Sequence, residues 1–563
     1  MFFCALLVAL AAVSSPAAGD AIVVSRAMEA STIAEIFIED DSIRIELEIG
    51  VRDLAAFRNL MPDDIYVKMG NDPEPLRERL GRFFAGDLTI RAGQGDPIAG
   101  RITRIEPRTR IVRDGVTGEA LPSQEDSGEV VVAVSIVYPL EGKPSVLRIK
   151  PPGAGTGYTT AGIGFQVYHR GLYVNDFRYL SGEEVLRLDW EDPWYSQFDN
   201  RNLRRYYYHP IMTFLYIEPF EVRKEIVLRP MDLGQWLDLG LEDGEIIAIA
   251  EQEELKQLIA DFLMEKTPVS IDGRKVEGRL DRIHFIYRNL RTSGVIEPPE
   301  ELDAVSATLG VIFVYPTDSL PQQVTMDWQL FGGRIEQINA SAVDEAGGMP
   351  SFLTPDDPEL VWKNYLTNPT IPGLVDILEP PGRDPMAILA VTAGILVLVL
   401  VAFRLASVIK KGERPAKRVW LPASVAVILI MFGVPRGVVR PVLPEEEVGP
   451  VVTGLLENIY SSFEFRDEEL IYDSLARSAT GDILGDIYLE TRRSLELKNQ
   501  GGARAKVKEV EMLSTESESL DGELGFEARC EWKISGSVLH WGHVHSRINS
   551  YAARFVVKAV EGA

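Results

Sequence analysis

The densest group of potential metal ligands is the run from His540 to His545, His-Trp-Gly-His-Val-His, which holds three of the chain's six histidines. Imidazole is the commonest protein ligand for transition metals, and three of them suffice for a zinc site with one open position. On a plain strand His543 and His545 share a face and His540 does not. A turn at Trp541-Gly542 would bring His540 back beside His543. No carboxylate or cysteine stands at ligand spacing within that strand. Zinc therefore competes with two other readings: a pH-responsive or ligand-contacting cluster, and a polar lining in which the histidines bond to neighbours.

A second group lies in residues 164–220, where aromatic residues crowd against charges. Trp190, Trp194 and Tyr195 stand beside Asp189 and Asp192, with Arg204 and Arg205 close behind and Tyr206, Tyr207 and Tyr208 after them. Aromatic faces next to carboxylates hold sugars and cationic ligands. A pair of acids at the right separation also hydrolyses glycosidic bonds. The same composition suits a domain junction, because Tyr and Trp bury large areas while keeping a polar handle and Arg pairs with the acids. Asp189, Trp190, Asp192, Trp194, Tyr195, Arg204 and Arg205 are thus the candidate ligand or partner surface. His169, His209 and His284 stand alone and read as core or interface histidines. No phosphate loop, serine-nucleophile elbow, HExxH or CxxC occurs, so no catalytic residue is assigned.

The scaffold for these groups follows from hydropathy. Met386–Phe403 and Val419–Val434 are apolar runs without a charge, separated by a stretch with Arg404, Lys410, Lys411, Arg414, Lys417 and Arg418 against one acid, Glu413. Basic loops stay on the cytoplasmic side of a bilayer. The expected arrangement is a transmembrane helix at 386–408, a cytoplasmic basic loop at 409–418 and a second helix at 419–435. Both long arms are then extracytoplasmic, in the inner membrane of a bacterium. The apolar N-terminal stretch followed by Ala17 and Gly19 predicts a signal peptide over 1–19. Its cleavage leaves Cys530 as the one cysteine, so no internal disulfide forms. A net charge of −26 argues against a nucleic-acid partner.

The N-terminal arm repeats itself. Arg52-Asp53-Leu54 recurs as Met231-Asp232-Leu233, the helical stretch 76–84 as 255–263, 98–105 as 276–283, 134–139 as 310–316, and 179–190, more loosely, as 352–362. The offset stays between 172 and 179. Five blocks in one order predict two copies of one domain, at 35–195 and 214–365. Partial alternation in 42–51, 128–140, 221–230 and 306–316 predicts strands. The expected fold is therefore multidomain: two tandem mainly-β, sandwich-like repeats, each an antiparallel sandwich with one packed helix, a two-helix transmembrane hairpin and a C-terminal α+β cone-like domain at 450–563.

In that last domain 441–450 reads as a stiff acidic linker. Leu455, Leu456, Ile459, Tyr460 and Phe463 form a helical stripe, further helices come at 468–476 and 483–497, and long strands run to the ending FVVKAVEG. This order of helices then strands resembles the nuclear-transport-factor-2-like superfamily, within it the domain of the mitochondrial import-motor adaptor. The resemblance implies a pocket or docking surface and brings no catalytic set. The whole layout resembles an uncharacterised family of bacterial two-span membrane proteins. The expectation is a non-enzymatic envelope scaffold that binds another envelope protein. The alternatives are a small-molecule or metal sensor using the C-terminal pocket and, third, a metal-dependent hydrolase.

Overall fold

The computed structural model describes residues 26–110, 129–153, 161–206, 208–241, 244–288, 293–377, 385–411, 420–434, 445–465, 468–497, 503–520, 525–540 and 543–558. The predicted signal peptide and most of the basic loop lie outside these residues. The chain divides into two compact units, one holding residues up to Ile371 and the other most of the chain from Pro372 onward.

The first unit contains the same strand plan twice. Its strands are β1 (Thr32–Ile38), β2 (Ser42–Gly50), β3 (Thr89–Ala92), β4 (Arg101–Thr109), β5 (Val130–Pro139), β6 (Val146–Lys150), β7 (Ile163–His169), β8 (Leu172–Tyr173), β9 (Arg178–Tyr179), β10 (Glu184–Arg187) and β11 (Gln197–Phe198). Then come β12 (Met212–Glu218), β13 (Glu221–Leu228), β14 (Ile246–Ile247), β15 (Val269–Ile271), β16 (Arg274–Val276), β17 (Arg279–Arg288), β18 (Ser293–Val295), β19 (Leu302–Asp303), β20 (Thr308–Pro316), β21 (Gln323–Asp327), β22 (Ile338–Asp344), β23 (Gly347–Leu353) and β24 (Glu359–Lys363). A large sheet ordered β4-β5-β2-β1-β7-β8 matches a second ordered β17-β20-β13-β12-β22-β23, and small sheets β11-β10-β6-β3 and β16-β15-β21-β24 accompany them. Even the register break recurs, between Ile102 and Arg104 in β4 and between Leu280 and Arg282 in β17.

Alternation explains the packing. In β2, Ile43, Ile45, Leu47 and Ile49 turn into a core shared with Ile90, Leu147 and Leu186 of the small sheet, while Arg44, Glu46 and Glu48 turn away. The second core is built the same way, with Leu255, Ile259 and Leu263 of a helix at Gln252–Lys266 where the first has Phe83 and Phe84 at the end of the helical stretch from Leu76. The predicted all-antiparallel pairing needs correction. β1 runs parallel to β7, and β12 parallel to β22. Each returning strand arrives only after the chain has visited the small sheet, and so long a crossover can bring it back in the same direction.

The repeated Gly-Arg block has a physical reason. A Cβ at Gly278 would lie 2.5 Å from Tyr315 Cε1, and one at Gly100 would lie 2.9 Å from Tyr138 Cε1. The buried tyrosine ring of the neighbouring element lies on bare backbone in both domains. Gly278→Val is expected to destabilise the second domain by about 1–3 kcal/mol, as overpacking does. Hydrogen exchange of β17 and β20 in the full chain measures this, and unchanged protection would sink the argument.

Among the described residues the second unit has five helices: α1 (Pro385–Lys410), α2 (Trp420–Gly433), α3 (Glu445–Ser462), α4 (Glu468–Leu475) and α5 (Asp482–Leu495). One of them, α1, is long and apolar enough to cross a membrane; α2 is a shorter apolar helix. The expected linker at 441–450 is corrected, since α3 begins at Glu445 and carries Pro450 inside it. Glu445, Glu446 and Glu447 sit where the helix dipole favours acids, and Pro450, past the first turn, removes the single bond its N–H would have made to residue 446. β25 (Glu496–Leu497), β26 (Ala503–Ser519), β27 (Gly525–His540) and β28 (His543–Lys558) form a sheet in that order. Val448, Val452 and Leu456 pack on Phe526, Ala528, Cys530 and Trp532.

Candidate functional site

The aromatic segment begins where β7 turns into β8 through Arg170 and Gly171, both at positive φ. After β10, Asp192 caps a short turn, Pro193–Tyr195, by accepting the Trp194 N–H at 3.1 Å. Proline at the first position of that turn supplies its φ in advance. The turn presents Trp194 and Tyr195 to the second domain, where they join Leu172 and Val305 in a small apolar cluster flanked by Tyr173 and Met231.

Polar contacts fix this cluster from both sides. The Asp192 carboxylate takes two hydrogen bonds from Arg229, at 2.8 and 3.1 Å. Arg229 also donates to Asp232, at 3.0 and 2.5 Å, and is 1% exposed. Burial opposes its charge, but Asp232 and Asp192 outweigh that and hold the guanidinium above its ordinary pKa. The Trp194 indole donates to the Tyr208 carbonyl at 2.8 Å. Arg205 lies 4.0 Å above the Trp194 ring and donates to the carbonyls of Tyr173 and Trp194. Burial lowers the Arg205 pKa to about 10.

A second bridge lies alongside. Arg334 stacks on the Tyr195 ring at 3.6 Å and donates to Asp189 at 2.8 Å. Burial pushes the Asp189 pKa up, but the N–H groups of Asp192 and Glu191 together with Arg334 pull it below its usual value. Trp190 turns the other way. It packs on the first domain's core, donates to the Pro144 carbonyl at 2.8 Å and meets His169 edge-on. Arg204 donates to the Phe198 carbonyl within its own loop. Of the seven candidates, Asp189, Asp192, Trp194, Tyr195 and Arg205 therefore meet at the junction of the two domains, whereas Trp190 and Arg204 serve the first domain. Their polar groups are held by protein partners. Arg229, Asp232 and Arg334 are the partners that the sequence did not single out. The only trace of them was the repeated block at Met231-Asp232-Leu233.

His169 belongs to the same junction. It is buried, and its Nδ1 lies 2.8 Å from Ser196 Oγ, which accepts the Asp189 N–H at 2.9 Å. Ser196 Oγ can donate to or accept from Nδ1, so the contact suits either tautomer of a neutral imidazole. Burial, helped by Arg170 and opposed by Asp189 and Asp40, takes its pKa to about 4. The unfolded chain thus binds a proton below pH 6.5 that the folded chain refuses until about pH 4. Stability is full above pH 6.5 and falls by up to about 3 kcal/mol across that window. An NMR titration of His169 in the intact protein near 6.5 would remove this prediction.

The side chains of His540, His543 and His545 lie outside the described residues. Among the described residues no group of three or more His, Cys, Asp or Glu is placed to hold a metal. No protein-family model matches the chain, and no curated protein matches it.

Proposed function

We propose that this chain is a non-enzymatic, membrane-anchored scaffold of the bacterial envelope, with both long arms on the extracytoplasmic face and a protein partner there. The observation that carries the reading is the antiparallel packing of α1 and α2. A Cβ at Gly433 would lie 2.7 Å from the Ala387 carbonyl, and one at Gly394 would lie 2.9 Å from that of Ala426. The start of α1 therefore sits beside the end of α2, so residues 385 and 434 lie at one end of the pair. Arg404, Lys410 and Lys411 stand at the other, where the positive-inside rule puts the cytoplasm. With 14 residues α2 is about 21 Å long, less than the ~30 Å of a hydrocarbon core. In this reading its close packing on α1 carries it into the bilayer.

The non-enzymatic part rests on the junction, where the acids and cations that could have served a substrate hold two domains together. Three helices followed by a sheet support reading the C-terminal domain as a cone-like docking module. The topology is tested with an impermeant maleimide on membranes bearing Tyr365→Cys, Glu469→Cys or Lys411→Cys, against the unsubstituted chain. Positions 365 and 469 should label from one side and 411 from the other. Labelling of 469 together with 411, opposite to 365, overturns the reading.

A further inference from the structure

The stretch Pro372–Ile377, just ahead of α1, belongs to no helix or strand, yet it is held firmly at one residue. The Val375 N–H donates to Asn458 Oδ1 at 2.7 Å, and the Val375 carbonyl accepts from Asn458 Nδ2 at 3.0 Å. One side-chain amide thus satisfies both backbone groups of a single residue, as a neighbouring strand would. Such a contact reads the extended backbone and is indifferent to the side chain it carries. Asn458 is 4% exposed and lies inside α3, where asparagine is a poor helix former. Its amide is committed to a segment outside the helix.

The rest of α3 fits the same occupant. Gly454 lies one turn before Asn458 and on the same face. A Cβ there would come within 3.5 Å of Val375 Cγ2 and 3.7 Å of Ile377 Cγ1, so both side chains lie against bare helix backbone. Ile377 also reaches the cluster formed by Val448, Val452, Phe526 and Trp532. A notch, a buried amide and an apolar wall together make a site for an extended segment with apolar residues two apart. Val375 itself is 42% exposed, so the occupant lies across the site without being enclosed by it.

We propose that α3 carries a site that reads extended peptide backbone, that its resident occupant is this chain's own Pro372–Ile377, and that the pair acts as a reversible clasp. Closed, it ties the C-terminal domain to the foot of α1. Open, it frees the site for another segment of the same chemistry. The clasp does not depend on whether α1 crosses a membrane, and neither does its test.

Hydrogen exchange on the unmodified full chain is the first test. The Val375 amide should exchange about tenfold slower than the neighbouring Leu374 amide, yet well faster than the amides of β27 in the core. Exchange as fast as an unbonded amide removes the clasp. Exchange as slow as the core makes the stretch a fixed part of the fold and also overturns the proposal. The second test places cysteines at Val375→Cys and Gly454→Cys. Under mild oxidation they should form an intramolecular disulfide, several-fold slower when Asn458→Ala is added while β27 keeps its protection. A disulfide between two copies, or a rate untouched by Asn458→Ala, refutes the assignment.

Discussion

Arg229→Met is expected to cost about 3–5 kcal/mol at neutral pH, the penalty for leaving buried charge without its partner. The guanidinium makes a two-sided fork, with Asp232 on one edge and Asp192 on the other, and a methionine fills its volume without either bond. The Asp232 side chain is buried, and burial already raises its pKa even with Arg229 beside it. Without the arginine that carboxyl rises further above its unfolded value. The folded variant then binds a proton more readily than the unfolded one. Its deficit should therefore shrink as pH falls towards the carboxylate range, the opposite sign to the His169 effect. Arg229→Lys should recover only part of the loss, because an ammonium cannot bridge both edges. Hydrogen exchange of 192–195 and 229–233 in the full chain reads the outcome. Unchanged protection there would mean that the junction is held by its apolar cluster alone.

Lys224→Met is expected to do the reverse and stabilise the second domain. Lys224 is 0% exposed, points into the core from β13, and donates to the Thr267 carbonyl at 2.6 Å and the Thr267 hydroxyl at 2.7 Å. Phe313 and Tyr315 flank its ammonium. Burial brings the pKa down to about 7 from 10.5. Between those values the unfolded chain keeps a proton that the folded chain has lost, so stability rises with pH through that window by up to about 5 kcal/mol. Below pH 7 the full penalty is present. Replacing a buried ionic group with an apolar one of similar volume often gains about 1–4 kcal/mol. The first domain already has Ile45 in the equivalent place, at the centre of an intact core. The gain should be largest near pH 6 and vanish towards pH 10, followed by exchange of β12, β13 and β20. A loss at every pH would show that the Thr267 bonds outweigh the desolvation.

Much of the β architecture was legible because burial follows alternation. The stretches 42–51, 128–140, 221–230 and 306–316 coincide with β2, β5, β13 and β20. Strand direction was not legible, since a period of two is the same for parallel and antiparallel neighbours. Lys224 lies on the face of Val222, Ile226 and Leu228, so the alternation marks it as inward; its charge is what hides a core position there. The junction announced itself by composition, but its decisive partners lie far off in sequence. Asp189 meets Arg334 and Asp192 meets Arg229, and nothing local in either neighbourhood marks those pairings. The acids and prolines of 441–450 suit a stiff linker equally well, whereas the chain places three glutamates in a helical first turn from Glu445.

The contact between the domains also limits how far such a plan can extend. Head-to-tail contacts between identical modules have no natural stop and generate open filaments. Here the receiving group exists only once. Arg229 stands where the first domain has Gly50, whose Cβ position is already filled by Ser31. A loop carrying Asp192 from a neighbouring molecule would find no arginine at that place on the first domain, and Arg229 of the second is already paired within its own chain. The divergence of one position thus directs the Asp192 loop to the second domain of its own chain.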